Sequence, residues 1–203
     1  MKRDEPAPDM TDEEQVSAIQ RGDLAAFRQL VERYQKRVYT VAFGIVQNHD
    51  DALDVSQEVF IRVHESLKGF QGQSRFYTWL YRITVNLSID FYRRQKQFRS
   101  VPIEETSASE QTGNPNRQSN EAADSLLAQK ERDAAVQEAL RSLTPNHRAA
   151  LVLREMEGRS YQEISAILGC SIGTVMSRLH YARERMRGLL KPFLELDEKN
   201  HEE

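Results

Sequence analysis

Between Phe70 and Phe98 the chain places 8 of its 16 aromatic residues, with Arg75, Arg82, Arg93, Arg94 and Lys96 set against one acid, Asp90. Rings interleaved with cations suit stacking on unpaired bases, at ~1–3 kcal/mol per base, while the cations hold the phosphate backbone. On a helix running from Arg75, Phe76, Trp79, Leu80, Ile83, Leu87 and Phe91 share one face, expected to be core. Tyr77, Tyr81, Arg82, Val85, Ile89 and Tyr92 share the opposite face, expected to be exposed. The preceding GFQGQSRF loop (69–76) is short, polar and glycine-flanked, as a pocket for an extruded base requires. The competing reading of the aromatic face is an interface with a partner protein.

A second group has the chemistry of duplex recognition. Ser160–Leu179 reads SYQEISAILGCSIGTVMSRL. Ser160 and Glu163 have capping-box spacing, Gly169 follows Leu168 where a left-handed residue can end a helix, and Ser171 can cap the next one. Ile164, Leu168, Val175 and Leu179 are spaced to pack the two helices across the turn, as in a helix-turn-helix. Its second helix turns Val175, Leu179 and Ala182 inward. Gly173, Ser177, His180, Tyr181 and Glu184 point outward, with Thr174, Met176 and Arg178 on the flanks. Ser171–Lys191 holds five basic residues and one acid. Such a field attracts phosphates, and short side chains near the helix start (Ser171, Gly173, Thr174) can approach base edges. The alternative is a helical hairpin with a solvated basic end.

A third face lies on the helix expected over Asp50–Leu67. Val55, Val59, Val63 and Leu67 form its buried stripe. Asp54, Gln57, Glu58, Ile61 and Glu65 lie opposite, and an isoleucine among acids there points to a docking surface for a basic partner. A solvated acidic face with a stray isoleucine is the alternative.

Bond-making chemistry is not expected, and neither is a cofactor. His49, His64, His147, His180 and His201 are scattered without metal-ligand spacing, and no Gly-rich phosphate loop or nucleophile elbow occurs. Cys170, the single cysteine, falls in the helix-turn-helix turn, where packing is expected; its solitude excludes an internal disulfide and fits a reducing cytosol. The longest uncharged run, Ile164–Ser177, is 14 residues, short of the about 20 a spanning helix needs. The opening MKRDEPAPDM lacks the apolar stretch of a secretory signal.

The elements that must position these groups are helices. The 9 glycines and 6 prolines cluster at boundaries, and sustained period-two alternation is absent. Leu24–Val46 carries Phe27, Leu30, Val31, Tyr34, Val38, Val41 and Ala42 at helical spacing. Asp50–Leu67 and a helix capped by Ser74 and running to about Arg94 follow. Lys130–Leu143 is amphipathic, and Thr144-Pro145 starts the next helix, which ends near Gly158. The net charge of −3 conceals a division: Thr11–Phe98 is +1, Arg99–Gln129 −3, Lys130–Lys191 +4 and Pro192–Glu203 −4. The expected organisation is all-α: a disordered arm (1–10), a first helical domain (11–98), a flexible acidic linker (99–129), a second helical domain containing the helix-turn-helix (130–191) and an acidic tail (192–203).

Three stretches, DDALDVSQEVFIRVHESLKGF, FYTWLYRITVNLSIDFYRR and LTPNHRAALVLREMEGRSYQEISAILGCSIGTVMSRLHYARERM, together resemble the small two-domain bacterial sigma factors of the extracytoplasmic-function (ECF) group. The resemblance spans about Thr11 to Leu190. It implies a chain that joins core RNA polymerase and directs it to promoter DNA, initiating transcription. The first domain would recognise and melt the minus-ten element, and the second would recognise the minus-thirty-five element. Asp54, Gln57, Glu58 and Ile61 match the face that grips the clamp helices of the polymerase's largest subunit. The loop with Phe70, Ser74, Arg75 and Phe76 matches the one that captures a flipped base. Tyr77, Tyr81, Arg82 and Asn86 belong with it as contacts to single-stranded DNA. Ser177, Arg178, His180, Tyr181 and Arg183 match groove-facing positions. Met176 and Tyr181 depart from relatives that often carry arginine there, which leaves the promoter sequence open. The resemblance also implies an anti-sigma partner, often membrane-anchored, and a cytoplasmic site of action.

Two major-groove sites two turns apart lie about 70 Å from each other. The 30 residues from Ser100 to Gln129 span roughly 100 Å extended but only about 30 Å as a free coil. The connector can reach, and a large host must hold it stretched. A conventional helix-turn-helix regulator that binds duplex operators alone, and an RNA-binding adaptor, are the competing functions.

Overall fold

The computed structural model describes residues 10–99 and 121–200, and side chains over 10–98 and 130–192. Residues 1–9 of the expected arm (1–10), and most of the expected linker, lie outside the described residues. The described chain is helical and contains no strand: α1 (Asp12–Gln20), α2 (Leu24–Val46), α3 (His49–Ser66), a 3-10 turn (Leu67–Gly69), α4 (Phe76–Arg99), α5 (Glu121–Arg141), α6 (Pro145–Glu155), α7 (Tyr161–Leu168) and α8 (Ile172–Asn200).

Local chemistry sets most boundaries. Thr11 and Glu14 form a capping box at α1, Asp23 accepts from Ala25 and Ala26 at α2, and Asn48 accepts from Asp51 at α3. Each cap satisfies N–H groups that a helix start leaves without partners. Thr144 caps α6 ahead of Pro145. The Ser160–Glu163 box opens α7, and Gly169 closes it at φ 60°, a conformation that costs glycine little. Ser74 does not precede α4: Arg75 does, and its carbonyl accepts from Thr78 at 3.0 Å. At the other end, α5 begins at Glu121, inside the expected linker, and α8 runs through Pro192 to Asn200, into the expected tail.

The first domain packs α2, α3 and α4 around Leu30, Tyr34, Val38, Val55, Val59, Val63, Phe76 and Leu80. Burying an aliphatic or phenylalanine side chain stabilises by about 1.5–3 kcal/mol, and this stripe supplies the main apolar contact among the three helices. The Arg33 guanidinium pins α1 to it through Asp12 at 2.9 Å and the Met10 carbonyl at 2.7 Å.

The second core is shared between the domains. Val41 and Ile45 of α2, with Tyr81, Val85 and Ile89 of α4, join Leu151, Val152, Leu153, Ile164, Ile167, Val175 and Leu179 in one apolar cluster. This corrects the expectation of an exposed second face on α4: Tyr81 is fully buried, and Val85 and Ile89 are buried. The reason is tertiary. The face carries a second apolar stripe, and α6 and α7 cover it. Gly44 permits the approach, since a Cβ there would lie 2.5 Å from Cγ2 of Val152.

Candidate nucleic-acid interface

On α4 the rings divide by face as their spacing requires. Phe76 and Leu80 are buried, while Trp79, Ile83, Leu87 and Phe91 pack against the first core. Phe76, expected in the base-capturing loop, is a core residue, with its ring 5.5 Å from Tyr34 and 5.9 Å from Trp79. Phe70 is half-buried, 5.0 Å from Trp79. Ser74 is half-buried and Arg75 exposed. The open part of the loop is therefore Gln71–Gln73 with Arg75, held from beneath by Gln20, whose amide donates to the carbonyls of Leu67 and Phe70 at 3.0 and 2.9 Å.

The other α4 residues meet the second domain. The Tyr77 hydroxyl donates to Glu163. The Tyr81 hydroxyl donates to Glu157 at 2.5 Å, and Arg82 donates to the carbonyl of Ala166 at 2.7 Å. The Arg159 guanidinium lies over both tyrosine rings, 4.7 Å from Tyr77 and 5.5 Å from Tyr81. Burial, then the Glu157 bond, pushes the Tyr81 phenol above its ordinary value. The bond from Tyr77, then those from Ser160, hold the Glu163 carboxyl at about 2. Arg148 is buried with its guanidinium 4.5 Å over Tyr92, and its Nε and Nη2 have no hydrogen-bond partner among the described residues. Asn86 is exposed at a polar cleft of about 250 Å³, whose wall also includes Arg178 from α8. Candidate contacts for melted and for duplex DNA thus face the same crevice.

The helix-turn-helix follows its sequence pattern. Val175, Leu179 and Ala182 are buried, while Ser171, Gly173, Ser177, His180 and Tyr181 are exposed. The Ser171 hydroxyl caps α8 by accepting from the Thr174 amide at 3.1 Å, and Thr174 is half-buried. Tyr181 lays its ring 4.5 Å from that of His147, and burial, then Arg178, holds His147 below its usual value. Arg178 is half-buried, 3.8 Å from the Cys170 sulfur, and Cys170 packs at the edge of the shared core. Arg183 is turned back to Glu155 of α6, at 2.6 and 3.1 Å, rather than standing free over the groove-facing surface.

On α3, Asp54, Gln57, Glu58 and Ile61 are exposed, Ile61 by 53%. Gln57 and Ile61 border an apolar groove of about 1210 Å³ against α2, with Phe27, Val31, Tyr39 and Phe60. Asp54 and Glu58 border a charged groove of about 730 Å³ against α4, with Arg93 and Arg94. The four residues form a ridge between the grooves. The apolar groove went unread in the sequence; exposed Leu53 beside Ile61 was the available signal. A further groove in the second domain, with Leu140, Met156 and Met186, was also missed. Among the described residues no cluster could hold a metal ion, and no helix is long and apolar enough to cross a membrane.

Residues 30–98 match the family model described as Sigma-70 region 2, and residues 133–186 match Sigma-70, region 4. The RNA polymerase sigma-H factor of Pseudomonas aeruginosa is 36% identical over 186 residues, covering 90% of this chain and 95% of that protein. The ECF RNA polymerase sigma-E factor of Escherichia coli is 36% identical over 189 residues, covering 91% and 97%. Among solved structures, CnrH in complex with the cytosolic domain of CnrY aligns with a TM-score of 0.63 and 26% identity, covering 88% of this chain and 96% of that one. The sigma factor RpoE in complex with the anti-sigma factor NepR from Bartonella quintana aligns with a TM-score of 0.59 and 26% identity, covering 83% and 98%.

Proposed function

The chain belongs to the sigma-70 family of RNA polymerase sigma factors, in the ECF group, and from that premise we propose how its surfaces divide the work of promoter recognition. It binds core RNA polymerase, confers promoter specificity and initiates transcription. The α3 ridge of Asp54, Gln57, Glu58 and Ile61 docks on the polymerase: acids steer it to a basic surface, and Ile61 supplies the apolar contact. The loop around Arg75, with Tyr77, Tyr81, Arg82 and Asn86, holds the melted minus-ten strand. The outward face of α8, with Ser171, Gly173, Thr174, Ser177, Arg178, His180 and Tyr181, reads the minus-thirty-five duplex; Arg183 adds a phosphate contact on leaving Glu155. Extruding a base costs a few kcal/mol, so melting is driven by stacking and polymerase contacts, and the chain acts by binding rather than by making bonds. It works in the cytoplasm under an anti-sigma factor, as the RpoE–NepR complex illustrates for a relative.

The observation that supports this reading most is the exposed α3 ridge, acidic yet apolar at Ile61, on the same chain as an outward-facing helix-turn-helix. Genomic DNA transcribed in vitro by core polymerase plus this protein should yield discrete new 5′ ends. Ile61→Asp should abolish both those ends and co-purification with polymerase. Tight duplex-specific binding by a dimer of the protein alone, with no polymerase association, would establish a stand-alone regulator instead.

A further inference from the structure

Away from the seam between the two domains, α8 turns its candidate base-reading face to solvent. Gly173, Ser177 and Tyr181 are spaced four apart in one row along it, and all three are exposed. The row is graded, from no side chain to a short one to a long one. A recognition helix enters the groove by its N-terminal end. Gly173 therefore brings backbone close to the bases, while Tyr181, about 12 Å further along the axis, needs its length to reach them.

A ring standing alone on a helix surface changes rotamer within nanoseconds, and a mobile group loses part of its binding energy to being ordered. Tyr181 does not stand alone. It is 52% exposed, yet one side of its ring meets His147, with 4.5 Å between centroids and 30° between planes. The His147 ring is itself held. It is half-buried, and its Nδ1 shares a hydrogen bond of 2.7 Å with the Thr144 hydroxyl. The same hydroxyl oxygen accepts from the His147 amide at the start of α6, so ring and backbone are anchored at one point. Burial, then Arg178, disfavours the charged form of His147, as suits an apolar support. We propose that His147 is a positioning residue for promoter selection: it holds Tyr181 as a rigid wall that packs on a thymine methyl of the minus-thirty-five element. The methyl is the apolar group that base edges present in the major groove, and it is met by apolar contact. This deepens the sigma-factor reading and rests on it.

Full-length protein assembled with core polymerase selects duplexes from a promoter pool randomised over the minus-thirty-five element. Each thymine of the selected element is then replaced by deoxyuridine, which removes only the methyl. Wild type should lose roughly 3- to 5-fold in affinity at one thymine or an adjacent pair, the worth of one buried carbon. Tyr181→Phe and His147→Phe should keep that sensitivity, and Tyr181→Ala and His147→Ala should lose it while still binding the deoxyuridine duplex. His147→Ala retains the backbone amide that Thr144 caps, so α6 should still form, and Tyr181→Ala, at an exposed site, repeats the test without touching α6. Thr174 and Met176 carry apolar groups on the same helix, so methyl sensitivity that survives His147→Ala or Tyr181→Ala overturns the proposal. So does an element with no methyl-sensitive thymine, or a uniform loss across all duplexes in Tyr181→Phe, which would make the hydroxyl a phosphate ligand. Selection by the protein alone and never with polymerase removes the sigma-factor reading, and the same deoxyuridine comparison on that site then decides the His147–Tyr181 pair. Selection of no duplex in either format removes both.

Discussion

Tyr81 and Glu157 form the sharpest measurable contact across the seam. Tyr81→Phe keeps the buried ring and deletes only the hydroxyl that donates to Glu157 at 2.5 Å. A hydrogen bond to a charged group is worth about 1.5–3 kcal/mol. Tyr81 is fully buried while Glu157 is half-buried, so solvent screening places the value near the low end, about 1.5 kcal/mol. That is roughly a tenfold change in an equilibrium constant. A double-mutant cycle with Tyr81→Phe and Glu157→Ala isolates the pair, because each single variant also alters other contacts. Urea unfolding followed by circular dichroism gives the four stabilities. A coupling energy near 1.5 kcal/mol is expected, and hydrogen exchange in α7 should accelerate in both single variants. Coupling below about 0.5 kcal/mol, within the usual scatter for independent sites, would refute the claim that this bond holds the domains together.

Acid and alkali should act on different parts. Glu163 is held at about 2 against an ordinary 4.5, so its contribution is whole above pH 4.5 and is lost as pH falls through about 2; Glu163→Gln should flatten the stability profile in that window. Tyr34 and Tyr81 are raised above 10.0, by burial first and then by bonds to Asp12 and Glu157. Their contribution is whole below pH 10 and declines above it, and ultraviolet difference titration of Tyr34→Phe and Tyr81→Phe should show two late-titrating phenols missing. Leu30→Ala, at a fully buried site in the first core, should cost about 2–5 kcal/mol in urea unfolding. Arg178→Ala should weaken minus-thirty-five recognition by the holoenzyme by ~1–3 kcal/mol if Arg178 reads a base; unchanged promoter selectivity in footprinting removes it from the interface.

Features set by neighbours in sequence were legible. The capping box at Ser160, the left-handed Gly169 and the Ser171 cap are each written within a few residues, and they appear in the structure as expected. The valine stripe of α3 and the span of α2 followed from period alone. The Thr11–Glu14 box of α1 carried the same kind of signal and was overlooked. What escaped was the destination of the second α4 face. Val85, Ile89 and two tyrosines are apolar enough to be covered and polar enough to bind a nucleic acid, and no local rule says which occupant comes first. The cover comes from α6 and α7 of the same chain. Arg183 escaped for a similar reason, since Glu155 is 28 residues away.

Because α2, α4, α6 and α7 travel on one polypeptide, the apolar seam between them is an intramolecular contact. Diluting the protein leaves that seam as it is, whereas a contact between separate chains would weaken with dilution.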